Sequence, residues 1–190
     1  EQHFHFDFNQ FNNDCDITGW LQSEKYFEDC KEEIKKQFTF KQYYKDLVNA
    51  RFNDEIKFHL DSIAISVRRG DYVNNPNYAL LPINYYIGAL LKEFPDYHNY
   101  NIIIFSDDME YCKLHFQCLP NVYFADGSAI EQLCLASLCD HFIIANSTFS
   151  WWCAWLGEKP HSKVIKPNYH FGYEFGKLNN AKDFYPARWI

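Results

Sequence analysis

The chain has 190 residues, of which 47% are hydrophobic and 19% aromatic, so it can bury a sizeable core and is not a disordered or low-complexity protein. Its formal net charge of −7 argues against a dedicated nucleic-acid binder or a polybasic membrane-surface protein. Binding of an anionic ligand is not excluded, because a few well-placed arginines decide that locally. The sequence holds no apolar stretch long enough for a transmembrane segment.

The cysteines and the amino-terminal residues indicate the cellular compartment in which we expect the protein. The amino-terminal residues have neither a basic start nor an apolar run, so we expect no signal peptide. The seven cysteines are an odd number without zinc-ligand spacing, which favours reduced thiols over a disulfide framework or a metal site. We therefore expect a cytoplasmic protein, with attachment to a membrane periphery or a lumenal location left open.

Residues 1–57 are the more polar part of the chain, and we predict that they form a partial, largely helical amino-terminal lobe. Apolar residues recur at helical spacing from about Ser23 to Lys36. A second, less regular helical run extends from Phe40 to Asn53. Residues 58–190 have a different pattern and are predicted to form a second domain.

In this second part, short apolar runs alternate with helical patterns. Strands are predicted at 62–67, 101–105, 122–124, 141–145 and 163–165, with a helix between each pair. The longer runs lack strict alternation, as expected of strands that are buried on both faces. The predicted fold class is therefore α/β, with a Rossmann-like, doubly wound parallel sheet.

Polar segments follow three of these strands where each strand ends: residues 68–72, 106–108 and 146–150. The carboxyl ends of parallel strands meet at one edge of a sheet, and open α/β sheets bind their ligands beyond that edge. We therefore expect the three segments to form one site.

Two of the segments have the chemistry of an anion site. Arg68 and Arg69 carry forked donors that suit a phosphate, although a solvated salt bridge to Asp71 is an alternative. Residues 146–150 are small and polar and open a helix, so their N–H groups and hydroxyls can bind an anion. Plain N-capping is the alternative for that segment.

The acidic residues allow more than one interpretation. Asp107 stands where the N-cap of the next helix belongs, and a carboxylate at this edge can also accept hydrogen bonds from a ribose or a guanine N–H edge. Asp14 and Asp16 form an Asp-x-Asp metal–nucleotide signature, but this three-residue match follows no strand, so no metal site is predicted. Dinucleotide, P-loop and α/β-hydrolase motifs are absent from the sequence.

Several motifs, taken in order, resemble those of one enzyme family. Ser66-Val-Arg-Arg-Gly-Asp-Tyr72 is similar to a His-x-Arg-Arg-Gly-Asp-Tyr motif, and two further motifs of the same family match Phe105-Ser-Asp-Asp108 and residues 144–152. Residues 19–27 are similar to the family's Gly-Tyr-x-Gln-Ser-x-Lys-Tyr-Phe segment, and residues 185–190 are similar to its carboxyl-terminal Tyr-Pro-x-x-Trp-Ile. On these motifs the chain resembles the α-1,2-fucosyltransferases of glycosyltransferase family 11.

This resemblance implies a GT-B-like enzyme that moves L-fucose from GDP-fucose to a galactose 2-hydroxyl of a glycan acceptor, with inversion and without a metal or other cofactor. It implies Arg68 and Asp71 as catalytic residues: Arg68 would hold the diphosphate, and Asp71 would be the base or an anchor for the arginines. The implied donor-binding residues are Ser66, Arg68, Arg69, Ser106, Asp107, Asp108, Asn146, Ser147, Thr148, Phe149 and Ser150.

The chain departs from the family pattern in two respects. Ser66 stands where the family has histidine, and the sequence has no Gly-Gly-Leu-Gly-Asn-Gln-type opening segment. We therefore expect that the amino-terminal part of the acceptor-side lobe is missing. Two alternatives stay open: a catalytically silent module that binds a guanine-nucleotide sugar, or a fucosyltransferase with a different acceptor.

Overall fold

The computed structural model describes residues 22–52, 56 and 60–190. The strands in this part of the chain are β1 (Ser62–Val67), β2 (Asn101–Ser106), β3 (Val122–Phe124), β4 (His141–Ile143) and β5 (Val164–Ile165). The α-helices are α1 (Lys31–Gln37), α2 (Gln42–Phe52), α3 (Ile83–Glu93), α4 (Met109–Phe116), α5 (Ala129–Ala136), α6 (Thr148–Gly157) and α7 (Tyr173–Leu178). All five predicted strands are present.

The strands form one parallel sheet in the order β3-β2-β1-β4-β5. In its register, Ser62 lies beside Asn101 of β2, and Ile63 lies between Ile102 of β2 and His141 of β4. The chain adds β2 and β3 on one side of β1 and then crosses back to add β4 and β5 on the other. This order confirms the predicted α/β, doubly wound parallel sheet.

Helices cover both faces of the sheet, and the strand side chains alternate between two hydrophobic clusters. Ile63 and Ile65 of β1 pack on the face that carries α3 and α4, with Leu90 and Phe116. Ala64 points to the other face, where Trp155 of α6 is also buried. Because both faces are covered, apolar residues occupy successive positions within the strands, as in residues 63–65 and 102–105, which explains why the apolar runs lack strict alternation.

The amino-terminal helices pack on the same core as the sheet. Val48 and Phe52 of α2 are buried in the cluster that contains Leu135 of α5. The predicted lobe boundary at residue 57 lies outside the described residues, and the division into two domains stays a prediction.

The single helix predicted from Ser23 to Lys36 is wrong. Two short 3-10 turns, Glu24–Tyr26 and Glu28–Cys30, precede α1 instead. Phe27 separates the turns, with backbone angles of φ −139° and ψ 20° that lie outside the helical region. Its half-buried ring packs against Trp152 and, edge on, against Trp155, so tertiary packing of this ring overrides the local helical pattern.

The carboxyl-terminal residues form hydrogen bonds along β5, the edge strand of the sheet. The Ile190 N–H donates to the Val164 carbonyl at 2.9 Å, and the Lys166 N–H donates to the Ile190 carbonyl at 2.8 Å. The Trp151 indole donates to the Phe184 carbonyl at 2.9 Å, which fixes this segment to α6. None of the helices in the described part of the chain has the length and apolar character to cross a bilayer.

Candidate functional site

A cavity of about 140 Å3, here called the rim cavity, lies beyond the carboxyl ends of β1 and β2. The first turns of α5 and α6 complete its walls. From β1 the chain continues to β2 on one side of the sheet, and from the neighbouring β4 it continues to β5 on the other side. The cavity therefore lies where the strand order reverses, which is the usual ligand position in such sheets. Its lining residues are Ser66, Val67, Arg68, Ser106, Asp107, Ala129, Gln132, Ser147, Phe149 and Ser150.

Arg68 presents its guanidinium to this cavity while it is held by two carboxylates. Its NH1 lies 3.1 Å from Oδ2 of Asp107, and its NH2 lies 2.6 Å from Oδ1 of Asp71. Nε also donates to Asp71 Oδ1, at 3.1 Å. The salt bridge to Asp71 that the sequence offered as an alternative is therefore present, and Arg68 nevertheless lines the cavity. Asp71 is 59% exposed in its side chain and is not part of the lining.

Arg69 points away from the rim cavity. Its Nε donates to Asp108 Oδ2 at 3.0 Å, and its guanidinium lies 3.6 Å from the centre of the Tyr111 ring. The hydrogen bond from Arg69 is the main cause that lowers the pKa of the Asp108 carboxyl. This geometry makes Arg69 a support for the start of α4.

The structure corrects the predicted cap of α4. Asp108, and not Asp107, is the N-cap, and its side chain accepts the Tyr111 N–H at 3.2 Å. The Asp107 side chain faces the segment that follows β1 and not α4. Its carboxylate accepts the Arg69 backbone N–H at 2.9 Å and pairs with Arg68. Gly70 permits this, since a Cβ at position 70 would collide with Asp107 Oδ2.

The amino terminus of α6 forms the wall opposite β2. Ser147 is the N-cap residue by its extended backbone, but its side chain makes no capping hydrogen bond, and it lines the cavity instead. The buried hydroxyls of Ser66 and Ser150 lie 2.7 Å apart beside it. First-turn N–H groups and hydroxyls are thus gathered around one space, as an anion site requires.

Two of the predicted residues in this segment do not line the cavity. Asn146 is buried behind it, where its amide donates to the carbonyls of Ala79 at 3.0 Å and His170 at 2.7 Å. Its own carbonyl accepts the Tyr72 hydroxyl at 2.8 Å, so Asn146 ties three loops together. Thr148 is exposed, and its side chain lies outside the rim cavity.

Most of the predicted donor-binding residues come together, and three lining residues, Val67, Ala129 and Gln132, were not predicted. The predicted residues that line the cavity are Ser66, Arg68, Ser106, Asp107, Ser147, Phe149 and Ser150. Ala129 and Gln132 stand in the first turn of α5, after the polar segment 126–128 that follows β3, and this segment was not among those predicted to bind a ligand. The rule that ligands bind beyond the carboxyl ends of the strands, applied also to β3 and the first turn of α5, would have identified Ala129 and Gln132.

The arrangement suits a phosphate-bearing ligand. Arg68 supplies a forked cation, α6 supplies N–H groups, and the serines supply hydroxyls. Among the described residues, no three His, Cys, Asp or Glu side chains gather as a metal site would require. Asp14 and Asp16 lie outside the described residues.

Comparison with known proteins identifies relatives that match most of the sequence. An alpha-1,2-colitosyltransferase of Escherichia coli is 33% identical over 184 residues, which cover 92% of this chain and 61% of that protein. A galactoside alpha-(1,2)-fucosyltransferase 2 of Rattus norvegicus is 26% identical, over 82% of this chain and 51% of that protein. The chain thus spans about half to three fifths of the length of these relatives.

Solved structures and a family sequence model give two further comparisons. A crystal structure of NodZ alpha-1,6-fucosyltransferase soaked with GDP-fucose aligns with a TM-score of 0.44 and 11% identity, over 62% of this chain and 43% of that one. The sequence model described as glycosyl transferase family 11 matches residues 6–190. Since this match extends over nearly the whole chain, the chain belongs to glycosyltransferase family 11.

Proposed function

We propose that this chain binds GDP-fucose in the rim cavity and transfers L-fucose to the 2-hydroxyl of a galactose in a glycan acceptor, with inversion and without a metal ion. The observation that carries the proposal is the convergence of Arg68 and the amino terminus of α6 on one cavity at the strand-order reversal. Family membership supports the reaction class, and the similarity to galactoside 2-fucosyltransferases supports the sugar and the acceptor hydroxyl.

The main chemical task is to stabilise GDP as it leaves the sugar. Negative charge grows on the diphosphate while the bond from C1 of the sugar to the phosphate oxygen breaks. Arg68 and the first-turn N–H groups of α6 are fixed donors at the place where this charge would develop, and fixed donors stabilise such a transition state without a reorganisation cost. The Ser147 hydroxyl, which is not engaged in capping, adds a further donor.

Inversion requires that the acceptor hydroxyl attacks C1 from the face opposite GDP and gives its proton to a base. Asp71 is one candidate for this base. Its carboxylate accepts two hydrogen bonds from Arg68 and lies outside the cavity lining. This geometry favours Asp71 as the anchor that orients Arg68 toward the diphosphate.

A second sugar donor is favoured by a specific relative. The 33%-identical alpha-1,2-colitosyltransferase supports GDP-colitose as the alternative donor, whose sugar lacks the 3-hydroxyl of fucose. Both donors share the GDP group, so the phosphate contacts above serve either. The catalytically silent nucleotide-sugar module remains the third candidate and would bind without turnover.

The test is calorimetric titration of the chain in EDTA with GDP-fucose and GDP-colitose, and with GDP-mannose and UDP-galactose as controls. Selective binding of GDP-fucose, followed by transfer to lactose in EDTA, is the expected result. Tighter binding and faster transfer of colitose would select the second donor. Binding without transfer to any galactoside would identify a silent module, and equal binding of UDP-galactose would contradict the proposed guanine selectivity.

A further inference from the structure

Two other cavities lie outside the rim cavity, and the proposed phosphate contacts use neither. A cavity of about 110 Å3, here called the aromatic cavity, is lined by Gln22, Ser23, Phe27, Thr148, Trp151, Trp152 and Phe184. A groove of about 700 Å3, here called the polar groove, runs between residues 24–28, residues 166–168 and the carboxyl-terminal segment 180–189.

The three spaces follow one another along the molecule. Thr148, in the aromatic cavity, lies between Ser147 and Phe149 of the rim cavity. Ser23 and Phe184, also in the aromatic cavity, are chain neighbours of Glu24 and Asp183 in the polar groove. The aromatic cavity is therefore linked through the chain to the proposed sugar-nucleotide site on one side and to the larger groove on the other, although the three cavities share no lining residue.

The aromatic cavity has the composition of a sugar site and not of a phosphate site. The rings of Phe27 and Trp152 are stacked with centres 6.2 Å apart, and Trp151 meets Trp152 nearly edge on at 5.1 Å. No lysine or arginine is among the lining residues. A pyranose ring has C–H groups that pack on aromatic carbons and hydroxyls that both donate and accept, as the Gln22 amide and the Thr148 hydroxyl also do.

The polar groove suits a neutral polar ligand that is longer than one sugar ring. Its lining includes three acidic and three basic side chains, so it has no net charge to attract a polyanion. Lys25 and Asp183 already pair with each other at 2.7 Å. Asparagines and the ring of Trp189 supply the remaining surface, and the volume lies within the usual range for ligand pockets.

We propose that the aromatic cavity binds the terminal galactose ring of the acceptor and that the polar groove binds the sugars that follow it. This proposal rests on the proposed function and assigns its acceptor subsites. The exposed Thr148 hydroxyl, next in the chain to residues of the rim cavity, then contacts the acceptor and not the nucleotide.

The test compares Phe27→Leu with the matched variant Phe38→Leu. Phe38 also stacks on Trp152, at 5.0 Å and 11°, but it does not line the aromatic cavity. Phe27→Leu should raise the KM for lactose about fivefold, since an aromatic contact on a ligand is worth about 1 kcal/mol beyond its area. Phe38→Leu should leave that KM within about twofold. The Kd of GDP, measured by calorimetry, should be unchanged in both variants.

Thr148→Val gives an independent measurement on an exposed side chain, and it decides the question where Phe27→Leu fails to fold. The expected result is a raised KM for lactose with an unchanged Kd for GDP. Weaker GDP binding in Thr148→Val, or an unchanged lactose KM in both cavity variants, would overturn the acceptor assignment.

These outcomes are separate from a failure of the proposed function. If the wild-type chain binds neither GDP nor GDP-fucose, the proposed function fails. If it binds GDP-fucose and transfers fucose to lactose while both cavity variants keep the wild-type KM, only the acceptor subsites are wrong.

Discussion

Arg68 and Asp107 lie 3.1 Å apart, between NH1 and Oδ2, so the guanidinium that lines the rim cavity is already paired. Asp71 holds its other edge at 2.6 Å. A diphosphate that enters the cavity must take over donors that these carboxylates now use. The carboxylates fix the direction of the guanidinium fork, and they also compete with the phosphates for its donors. Removing a carboxylate therefore has two opposing effects on the affinity for the diphosphate: it frees a donor, and it loosens the orientation of Arg68.

Arg68→Ala tests the cation itself. We expect the affinity for GDP-fucose to fall by about 10- to 150-fold, the scale of a charge-assisted contact of about 1.5–3 kcal/mol. Calorimetric titration measures it. Arg51→Ala is the control, because Arg51 pairs with Glu131 at 3.5 Å outside the rim cavity. Equal affinity of Arg68→Ala and the control would remove Arg68 from the site.

Asp71→Asn separates the roles of base and anchor. Because Asp71 is largely exposed and bonded to Arg68, we expect kcat to stay within about tenfold of wild type, with a change in the Kd of GDP-fucose of less than about 1 kcal/mol. Loss of a general base would instead lower kcat by about 10²- to 10⁴-fold with little effect on donor binding. Steady-state kinetics on lactose distinguish these two outcomes.

Gly70→Ala tests whether the position of Asp107 matters. The new Cβ would collide with Oδ2 of Asp107 and lie 3.2 Å from its Cγ, so the carboxylate must leave the position in which it now pairs with Arg68. We expect weaker binding of GDP-fucose, since the guanidinium loses one of its two supports. Gly88→Ala is the matched control, because a Cβ at that position meets no atom within 4 Å and a helical alanine is favourable. Wild-type affinity in Gly70→Ala would show that the position of Asp107 is unimportant.

The sheet could be predicted because its strands are covered on both faces. A short, largely apolar run without strict alternation, such as Ser62–Val67, is typical of a strand buried on both faces, and five such runs separated by helices imply a parallel sheet. The rule that ligands bind at the carboxyl ends then placed Arg68 and Ser147 in one site. Both inferences depend on residues close together in the chain.

The errors arise where distant contacts decide the local structure. Asp107 and Asp108 are equivalent as caps in the sequence, and the choice between them is made by Arg68 and Arg69, almost forty positions away. Phe27 leaves its helix because α6 offers three tryptophan rings to pack on. Neither partner is visible in the local pattern.

Gln132 shows what the structure adds to the site. Its amide donates to the Gly127 carbonyl at 3.2 Å while the side chain lines the rim cavity from α5. We expect Gln132→Glu to weaken GDP-fucose binding by about 1 kcal/mol or more, because a carboxylate would replace a neutral amide beside an anionic ligand. Gln117→Glu, at the end of α4 and outside the cavity, is the control. Equal titration curves for the two variants would place the ligand away from α5.

His170 is expected to make the stability of the fold depend on pH. Burial lowers the pKa of this imidazole from 6.5 to about 4, while the same ring titrates near 6.5 in the unfolded chain. Between these values the unfolded state binds more protons, so the stabilisation is complete above pH 6.5 and is lost as the pH falls. His141, whose pKa burial also lowers, acts in the same direction.

His170→Gln isolates this contribution, because glutamine keeps a polar side chain but does not titrate. From the pKa values of 6.5 and about 4, the wild type should lose about 2 kcal/mol more unfolding free energy than the variant between pH 7.5 and pH 5. Urea unfolding at both pH values measures the difference. This window lies above the range in which ordinary carboxyl groups titrate, so their protonation contributes little to it. Parallel pH dependence in the two proteins would mean that His170 is protonated in the folded state and that the loops tied to Asn146 admit water around the ring.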